Sequence, residues 1–246
     1  MTDIPAEDRK PTFRGDVTVE LVKHTASDSD VLFAARVSTV GEQSLDELTK
    51  DPERSKGLIN YLMRDRHGSP FEHNSMTFLI TAPIFVFREF MRHRVGWSYN
   101  EESGRYRELE PVFYVPDADR KLVQEGRPGK YRFVEGTQAQ QELTGRAMEA
   151  SYVQAYEAYQ EMLAAGVARE VARAVLPVGL YSSMYATCNA RSLMHFLGLR
   201  TQHELAKVPS FPQREIEMVG EKMEANWAEL MPLTYAAFNA NGRVAP

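Results

Sequence analysis

The residues best suited to chemistry lie together in one short segment, from Arg92 to Tyr106. It reads Arg-His-Arg-Val-Gly-Trp-Ser-Tyr-Asn-Glu-Glu-Ser-Gly-Arg-Tyr, so cationic side chains stand beside acids, hydroxyls and aromatic rings. Guanidinium groups bind phosphate or a planar imide through paired hydrogen bonds, and a neutral imidazole can hydrogen-bond or pack on a ring. The combination predicts a site for an anionic, ring-bearing ligand such as a nucleotide.

The preceding residues predict how these groups are held. The run from Ala82 to Phe87 has the form of a helix start with proline near the first helical position, and Gly96 offers a stop. Arg92, His93 and Arg94 are then expected in the last helical turn. A purely structural explanation exists, because cations at a helix C-terminus are favoured by a few tenths to about 1 kcal/mol. It does not account for the hydroxyls, amide and acids that follow.

A second polar pair is expected on a helix further along the chain. Arg191 and His195 are four residues apart and share a face, while apolar residues occupy the other side. Such a pair can line a cleft while its helix stays anchored, although a simple solvated face has the same pattern. Arg200 follows as a cation at the end of the same helix.

Several other kinds of site are disfavoured. No two glycines stand two residues apart, and Gly129-Lys130 lacks the earlier glycine of a phosphate-binding loop, so a nucleotide site must be built from side chains. The histidines show no His-x3-His spacing, so no metal site is predicted. The single cysteine, Cys188, excludes an internal disulfide and lies in an apolar stretch that should raise its pKa.

Composition and charge indicate an ordinary soluble globular protein. The 246 residues are 43% hydrophobic and 26% charged, and the net charge is -5, which gives no general attraction to nucleic acid. The polar N-terminus resembles no signal peptide and no apolar run is long enough to span a membrane, so a cytoplasmic location is expected. We expect a flexible tail over residues 1–15 and one domain over residues 16–246.

Periodicity predicts an alternation of helices and strands. Strands are expected near Val17–Val22, Phe71–Ala82 and Leu180–Thr187, with helices through Val31–Arg36, over most of Leu45–Arg66, from Glu135 to Ala165, from Ala168 to Val175, from Ser192 to Arg200, from Pro212 to Leu230 and from Pro232 to Phe238. The long helix carries a stripe of Met148, Tyr152, Ala155, Tyr159 and Met162, typical of a core or a subunit contact. Glu125–Lys130 is predicted to be a surface turn.

The Arg92–Tyr106 segment resembles the signature of the flavin-dependent thymidylate synthases, in which Arg-His-Arg is followed by Ser and then Arg-Tyr. Here eight residues separate Arg94 from Ser103, where the family usually has seven. Further blocks resemble the family in order along the chain, from about Gly68 to Phe238: Pro70-Phe71-Glu72-His73, Glu170-Val171-Ala172-Arg173, Leu176-Pro177 and Asn189 to Arg200.

The resemblance implies an α+β fold, with a mixed sheet packed with long helices, in a homotetramer whose sites lie at subunit interfaces. It implies the conversion of dUMP to dTMP, with methylenetetrahydrofolate as carbon donor and NADPH as reductant through FAD. Arg200 is the residue implied to activate the uracil ring. FAD is assigned to Ser69, Arg92, His93, Arg94, Glu101, Asn189, Ala190, Arg191 and His195. The nucleotide is assigned to Glu89, Phe90, Met91, Arg92, Glu101, Glu102, Ser103, Gly104, Arg105, Arg173 and Arg200.

Two of these positions depart from the family, and two other functions stay open. Glu89 stands where many relatives have Gln, and His195 where many have Asn. A noncatalytic nucleic-acid-binding protein could use a basic patch with aromatic residues for base stacking, formed by Arg88, Arg92, Arg94, Arg105, Trp97, Tyr99 and Tyr106. A metal-dependent nucleotide hydrolase is the other alternative. The visible spectrum of the purified protein separates a flavin enzyme from both alternatives, since bound oxidised flavin is yellow.

Overall fold

The computed structural model describes residues 9–40, 50–127 and 129–246, with the side chains of residues 38–40 left aside. The chain forms two compact units. Unit 1 consists of Met1–Asp16, Thr81–Arg88 and Glu101–Ser183, and unit 2 consists of Val17–Ile80, Glu89–Asn100 and Met184–Pro246. Neither unit is a continuous stretch of chain.

The elements are as follows. The strands are β1 (Thr12–Arg14), β2 (Thr18–His24), β3 (Met76–Pro83), β4 (Trp97–Glu101), β5 (Val112–Tyr114), β6 (Val123–Arg127), β7 (Lys130–Val134) and β8 (Tyr181–Cys188). The helices are α1 (Asp28–Val40), α2 (Pro52–Arg64), α3 (Ile84–Phe90), α4 (Gln138–Ala164), α5 (Arg169–Ala172), α6 (Ala190–Arg200), α7 (Arg214–Leu230) and α8 (Pro232–Ala240). Short 3₁₀ helices span Ser69–Glu72 and Arg173–Val175.

A four-stranded sheet, most of whose residues belong to unit 2, has the order β2-β3-β8-β4. Its second strand carries Met76, Phe78 and Ile80, all fully buried, as the alternating pattern predicts. Thr77 is also buried and its hydroxyl lies 2.9 Å from that of Thr187 on β8. Both faces of β3 are therefore largely covered, as expected for an interior strand.

Unit 1 is organised around the long helix α4. Thr137 and Gln140 form a capping box at its start, because the Thr137 hydroxyl accepts from the Gln140 amide and the Gln140 side chain accepts from the Thr137 amide. The helix buries Tyr152, Tyr156 and Tyr159 against a cluster that includes Phe113 of β5. The predicted stripe is therefore a core face. The strands β1 and β5 pair in parallel, and β6 and β7 form an antiparallel hairpin.

Helix starts elsewhere follow the capping residues in the sequence. The Ser27 hydroxyl accepts from the Asp30 amide at the start of α1, and the Asp51 carboxylate accepts from the Arg54 amide at the start of α2. The predicted helix over Leu45–Arg66 is confirmed for Pro52–Arg64, while residues 45–49 lie outside the described residues.

Three expectations need correction. Helix α3 ends at Phe90, so Arg92, His93 and Arg94 follow the helix and do not form its last turn. The strand predicted from Phe71 begins at Met76, because Ser69–Glu72 form a 3₁₀ helix with Pro70 near its start. Residues 12–14 pair with β5, so this part of the predicted flexible tail is ordered.

No helix in the described ranges is long and apolar enough to span a membrane.

Candidate active site

The Arg-His-Arg segment of unit 2 lies in a turn whose backbone carbonyls accept hydrogen bonds from a tyrosine of β4. The Arg92 amide donates to the Glu89 carbonyl and the His93 amide donates to the Phe90 carbonyl. The Tyr99 hydroxyl lies 3.0 Å from the Phe90 carbonyl oxygen and 2.9 Å from that of His93. Strand β4 thus fixes the backbone of the turn.

An aromatic cluster supports the same turn. The Phe90 ring is fully buried and stacks on Phe196 of α6, with ring centroids 4.7 Å apart. The Trp97 and Tyr99 rings stack on each other at 5.7 Å, and His93 meets Phe196 edge-on at 4.9 Å. Phe90 therefore contributes to the core, and its side chain is not exposed to a ligand.

Arg200, the predicted catalytic residue, contacts two residues of this turn region. Its Nε–H donates to the His93 Nε2 atom at 3.1 Å, and its Nη1 donates to the Glu89 carboxylate. The Arg200 side chain is 22% exposed and that of Glu89 is 25% exposed. A guanidinium has five N–H donors, so this half-buried group keeps donors for a ligand while its position is fixed.

The environment of His93 favours the neutral imidazole. Burial, then the positive charges of Arg200 and His195, lowers the His93 pKa from 6.5 to about 4. A neutral ring with an unprotonated Nε2 is what accepting the Arg200 hydrogen bond requires. At neutral pH, His93 therefore acts as an acceptor that orients the guanidinium.

The first turn of α6 is fixed by two asparagines. The Asn189 side chain accepts from the Ser192 amide at 2.8 Å, and Asn74 accepts from the Ala190 amide at 2.9 Å. The Ser192 hydroxyl donates to the Val95 carbonyl, which joins this helix start to the turn after Arg94. Asn189 and Ala190, both predicted flavin contacts, thus also form the helix N-terminus.

Arg191 lies on the polar face of α6, as predicted. Its Nη1 donates to the Glu72 carboxylate at 2.5 Å, and its Nε donates to the Pro246 carbonyl at 2.6 Å. A methyl group on Gly68 would lie 2.5 Å from the Arg191 Cζ atom, so the guanidinium occupies space that any side chain at position 68 would fill. His195 is exposed on the same face, and burial, then the charges of Arg191 and Arg66, lowers its pKa.

Several predicted site residues of unit 2 present their side chains to solvent. They are Ser69, Met91, Arg92 and Arg94. Within the part of the chain that the structure describes, no carboxylate is within ion-pairing distance of Arg92 or Arg94. Two neighbouring exposed arginines with no acid partner there form a local basic site in a chain whose net charge is -5.

The other predicted nucleotide residues belong to unit 1, where a tight loop packs on Arg173. A methyl group on Gly104 would lie 3.2 Å from the Arg173 Cδ atom and 2.8 Å from Leu109. The Ser103 hydroxyl accepts from the Arg105 amide at 3.3 Å, and the Arg105 Nε donates to Glu170 at 2.6 Å. Glu170 thus pairs with Arg105, which lies 65 residues earlier in the chain.

The two acids at the start of this loop differ in their surroundings. Burial, with a smaller contribution from the charge of Glu102, raises the pKa of the Glu101 carboxyl. Glu102 pairs with Arg107 at 3.1 Å, and its amide donates to the Ser183 carbonyl. Unit 1 thus gathers Glu101, Glu102, Ser103, Gly104, Arg105 and Arg173, and unit 2 gathers the remaining predicted residues.

The single thiol of the chain lies in the interior. Cys188 is buried, and its burial raises the thiol pKa. Among the described residues, no three or more histidines, cysteines or acids are placed to hold a metal ion.

The sequence prediction missed three residues that shape this site. They are Gly68, which makes room for Arg191, Asn74, which caps α6, and Tyr99, which holds the turn. Gly68 directly precedes the predicted contact Ser69, which was the available signal. Asn74 acts through a contact 116 residues away, and Tyr99 contacts the carbonyls of His93 and Phe90, which precede it by six and nine residues; no helical or strand periodicity marks either residue.

Comparison with known proteins agrees with the resemblance seen in the sequence. The family model described as thymidylate synthase complementing protein matches residues 20–233. The chain is 91% identical to a flavin-dependent thymidylate synthase of Streptomyces avermitilis and 86% identical to one of Streptomyces coelicolor, over the full length of each.

A solved structure shares the fold. The UMP/dUMP methylase PolB from Streptomyces cacaoi, bound with 5-Br dUMP, is 58% identical and has a TM-score of 0.89, and the match covers 95% of this chain and 99% of that one. Its structure bound with 5-Br UMP matches with a TM-score of 0.87 at 57% identity and covers 96% of this chain and all of that one. The predicted fold class is confirmed. On the family model and these identities, the chain belongs to the flavin-dependent thymidylate synthase family.

Proposed function

We propose that this protein converts dUMP to dTMP, with methylenetetrahydrofolate as the carbon donor and NADPH as the source of reducing equivalents through FAD. The observation that carries the residue assignment is the fixed position of the Arg200 guanidinium, which Glu89 and His93 hold while it keeps further N–H donors. A positioned cation with unused donors suits a planar, partly anionic imide.

Arg200 stabilises negative charge on the uracil ring. Carbon 5 of uracil is a poor nucleophile, and electron density that moves from the N3 side of the ring toward carbon 5 improves it. An arginine is always protonated near neutral pH, so it acts electrostatically and not as a base. Because the guanidinium is already oriented, little reorganisation accompanies the reaction.

The residues of unit 2 fit a flavin. Arg92 and Arg94 are exposed cations, Arg191 lies in the space left by Gly68, and His195 stands beside it with a pKa that favours the neutral form. Arginines suit the pyrophosphate, and a neutral histidine can donate to a ring carbonyl. With Ser69, His93, Asn189 and Ala190, and with Glu101 of unit 1, they are the groups proposed to hold FAD. When bound, FAD supplies the hydride that turns the transferred one-carbon group into a methyl group.

The loop of unit 1 would bind the phosphate end of dUMP. Ser103 offers a hydroxyl, Gly104 brings backbone close to Arg173, and Arg105 offers a guanidinium that Glu170 now holds. Since the Arg105–Glu170 pair is exposed on both sides, it is worth about 0 to 1 kcal/mol and a phosphate can replace it. Arg92, Met91 and Glu102 complete the proposed nucleotide contacts.

Glu89 is best described as a partner of Arg200. Its carboxylate would repel a phosphate, whereas a carboxylate beside a guanidinium orients it. We therefore propose that Glu89 and Phe90 support the nucleotide site through Arg200 and through the core, and that their side chains do not contact the phosphate.

Homotetramer formation and a cytoplasmic location also belong to the proposal. Membership of the flavin-dependent thymidylate synthase family supports the tetramer with interface sites. The proposed substrates are charged nucleotides and folates, which are found in the cytoplasm.

The test is a spectrum followed by an assay. Purified protein should be yellow, and with NADPH and methylenetetrahydrofolate it should convert dUMP to dTMP, as measured by chromatography. UMP should be assayed beside dUMP, because the 57% identical PolB was solved with a UMP analogue. A colourless protein that binds RNA in a strongly salt-dependent way would support nucleic-acid binding instead. Preferred turnover of UMP would reassign the substrate and keep the chemistry.

A further inference from the structure

The end of the helix that carries Arg200 is attached to a buried ion pair. Thr201 directly follows Arg200, is 4% exposed, and its hydroxyl donates to the Leu197 carbonyl at 2.8 Å. That hydroxyl also accepts from Nη2 of Arg243 at 3.2 Å. Arg243 thus reaches the residue next to Arg200 from a distant part of the sequence.

Arg243 is itself held from several sides. Its side chain is 1% exposed and pairs with both carboxylate oxygens of Glu224, at 2.6 and 2.7 Å. Its Nη1 also donates to Asn239 at 2.8 Å, and its guanidinium lies over the Phe238 ring at 5.0 Å. A bidentate, buried arginine has little freedom to move, so whatever it contacts is held in a defined place.

The backbone that presents Arg243 is equally specified. Helix α8 ends at Ala240, and Gly242 beyond it has a φ of 73°. The Arg243 amide donates to the Phe238 carbonyl, and the Gly242 amide donates to the Asn239 carbonyl. This pair of bonds is a Schellman ending. Arg243 then has a φ of 56°, which is unusual for a residue with a side chain.

Close packing surrounds the same point. A methyl group on Gly220 of α7 would lie 2.7 Å from the Thr201 Cγ2 atom, and one on Gly198 of α6 would lie 3.3 Å from the Arg243 carbonyl oxygen. The Ser210 hydroxyl donates to the Thr201 carbonyl at 2.5 Å. The C-terminal end of α6 is therefore held by side-chain, backbone and packing contacts together.

We propose that Arg243, paired with Glu224, is a positioning residue for the reaction, which acts through the Thr201 hydroxyl to fix the end of α6 and hence the Arg200 guanidinium. A buried ion pair seldom makes a protein more stable than apolar residues in its place would. The Arg243–Glu224 pair therefore fits a role in fixing the position of the Arg200 side chain. A displacement of about 1 Å at a reacting group can cost about a hundredfold in rate. This inference rests on the proposed role of Arg200.

The test uses Thr201→Val, which keeps the shape and removes the hydroxyl, and Thr201→Ser, which keeps the hydroxyl. We expect Thr201→Val to lower the rate of dTMP formation at saturating dUMP by about tenfold or more. The melting temperature and the flavin content should change little, and Thr201→Ser should recover most of the rate. A Thr201→Val rate equal to that of the unaltered protein would overturn the proposal.

A double-mutant cycle separates positioning from general damage. In an Arg200→Lys background, Thr201→Val should cost less than about twofold, because the group it positions is already compromised. Multiplicative losses in the cycle would show that Thr201 acts independently of Arg200 and would contradict the proposal. Calorimetric titration of the same four proteins with dUMP provides a second readout, because coupling between Thr201 and Arg200 should appear as non-additive changes in binding free energy, and additive changes would contradict the proposal.

Arg243→Lys keeps the proposal testable if Thr201→Val does not fold. Lysine preserves the charge beside Glu224 but cannot hold both carboxylate oxygens and the hydroxyl, so the same rate loss is expected. Arg64→Lys controls for the change of side chain, because Arg64 is likewise bidentate on a carboxylate, that of Asp65, and lies over the Tyr61 ring, but is 61% exposed. Equal rates for the two lysine variants would overturn the proposal. Absence of dTMP formation by the unaltered protein would instead reject the proposed function.

Discussion

At the scale of single residues, the shape of the Arg200 guanidinium matters as much as its charge. Lysine keeps the positive charge but cannot donate to His93 and Glu89 together and still meet the imide edge. Arg200→Lys should therefore lower the rate of dTMP formation at saturating dUMP by about a hundred- to a thousandfold, or about 3 to 4 kcal/mol. Flavin content should remain normal.

A single-turnover measurement with reduced flavin, saturating dUMP and methylenetetrahydrofolate is the appropriate assay for this variant. Arg64→Lys again provides the control for an arginine replacement elsewhere in unit 2. Rates like those of the unaltered protein in both Arg200→Lys and Arg200→Ala would remove Arg200 from the chemistry.

His93 gives a prediction about pH and stability. Its pKa falls from 6.5 to about 4 in the fold, so between these values the unfolded chain binds a proton that the folded chain does not. The free energy of unfolding should then decrease as the pH falls from 6.5 toward 4, with a contribution of at most about 1.4 kcal/mol per pH unit. Above pH 6.5 this contribution vanishes.

Urea titrations of the unaltered protein and His93→Asn at several pH values from 4 to 7 would measure it. The variant should show a shallower loss of stability on acidification, because it cannot take up that proton. Parallel curves over the whole range would mean that His93 has no depressed pKa in the folded protein.

At the scale of elements, α6 is the part of the chain that organises the site. It begins at the Asn189 cap, presents Arg191 and His195 on one face, packs Phe196 on the other, and ends at Arg200. The four-residue spacing predicted the two faces, but the helix was predicted to begin at Ser192 and begins at Ala190, where Asn189 caps it. The contacts that orient its arginines come from Glu72, Glu89 and His93, which no pattern within α6 reveals.

The same limit explains where sequence reasoning failed. Helix α3 ends at Phe90, before the stop that Gly96 suggested, and the Tyr99 hydroxyl donates to the Phe90 and His93 carbonyls at and just beyond that end. Helical periodicity did predict the stripe that contains Tyr152 and Tyr159, because it acts within one element, whereas the Thr137 cap two residues after the predicted start was not predicted. Pairing of β1 with β5 joins segments about a hundred residues apart, which local propensity does not record.

Gly68 gives a prediction at the level of its short 3₁₀ helix. Its backbone φ of -75° is ordinary, so alanine is compatible with the backbone, but the added methyl group would meet the Arg191 guanidinium at 2.5 Å. Gly68→Ala should displace Arg191 and lower the flavin bound per chain by about fivefold or more, as expected for the loss of a charge-assisted hydrogen bond. The melting temperature should change by only a few degrees.

Gly57→Ala is the control for this substitution. Nothing lies within 4 Å of the methyl group it would add on α2, so it should leave flavin binding unchanged and stabilise the helix by about 0.5 to 1 kcal/mol. The absorbance of bound flavin relative to protein measures both variants. Equal flavin content in Gly68→Ala and the unaltered protein would separate Arg191 from the cofactor.

At the scale of the whole molecule, the distribution of the predicted site residues raises the question of which copies of the chain build one site. Ser103, Gly104, Arg105 and Arg173 belong to unit 1, while His93, Arg94, Arg191 and Arg200 belong to unit 2. If each site takes unit 1 residues from one copy and unit 2 residues from another, as the proposed tetramer with interface sites implies, two damaged chains can together form an intact site.

Mixing Arg105→Ala with Arg200→Ala tests this arrangement. Each variant alone should form little dTMP, because every site then lacks one of the two arginines. After co-expression in equal amounts with different affinity tags, and isolation of the doubly tagged species, about a quarter of the sites should combine two intact residues, with a corresponding share of the original rate. Arg94→Ala mixed with Arg200→Ala is the matched comparison, since both residues lie in unit 2 and should give no such recovery if one copy supplies both. No recovery from Arg105→Ala with Arg200→Ala, in a species that light scattering shows to be a tetramer, would mean that a single copy supplies both residues and that the interface proposal is wrong.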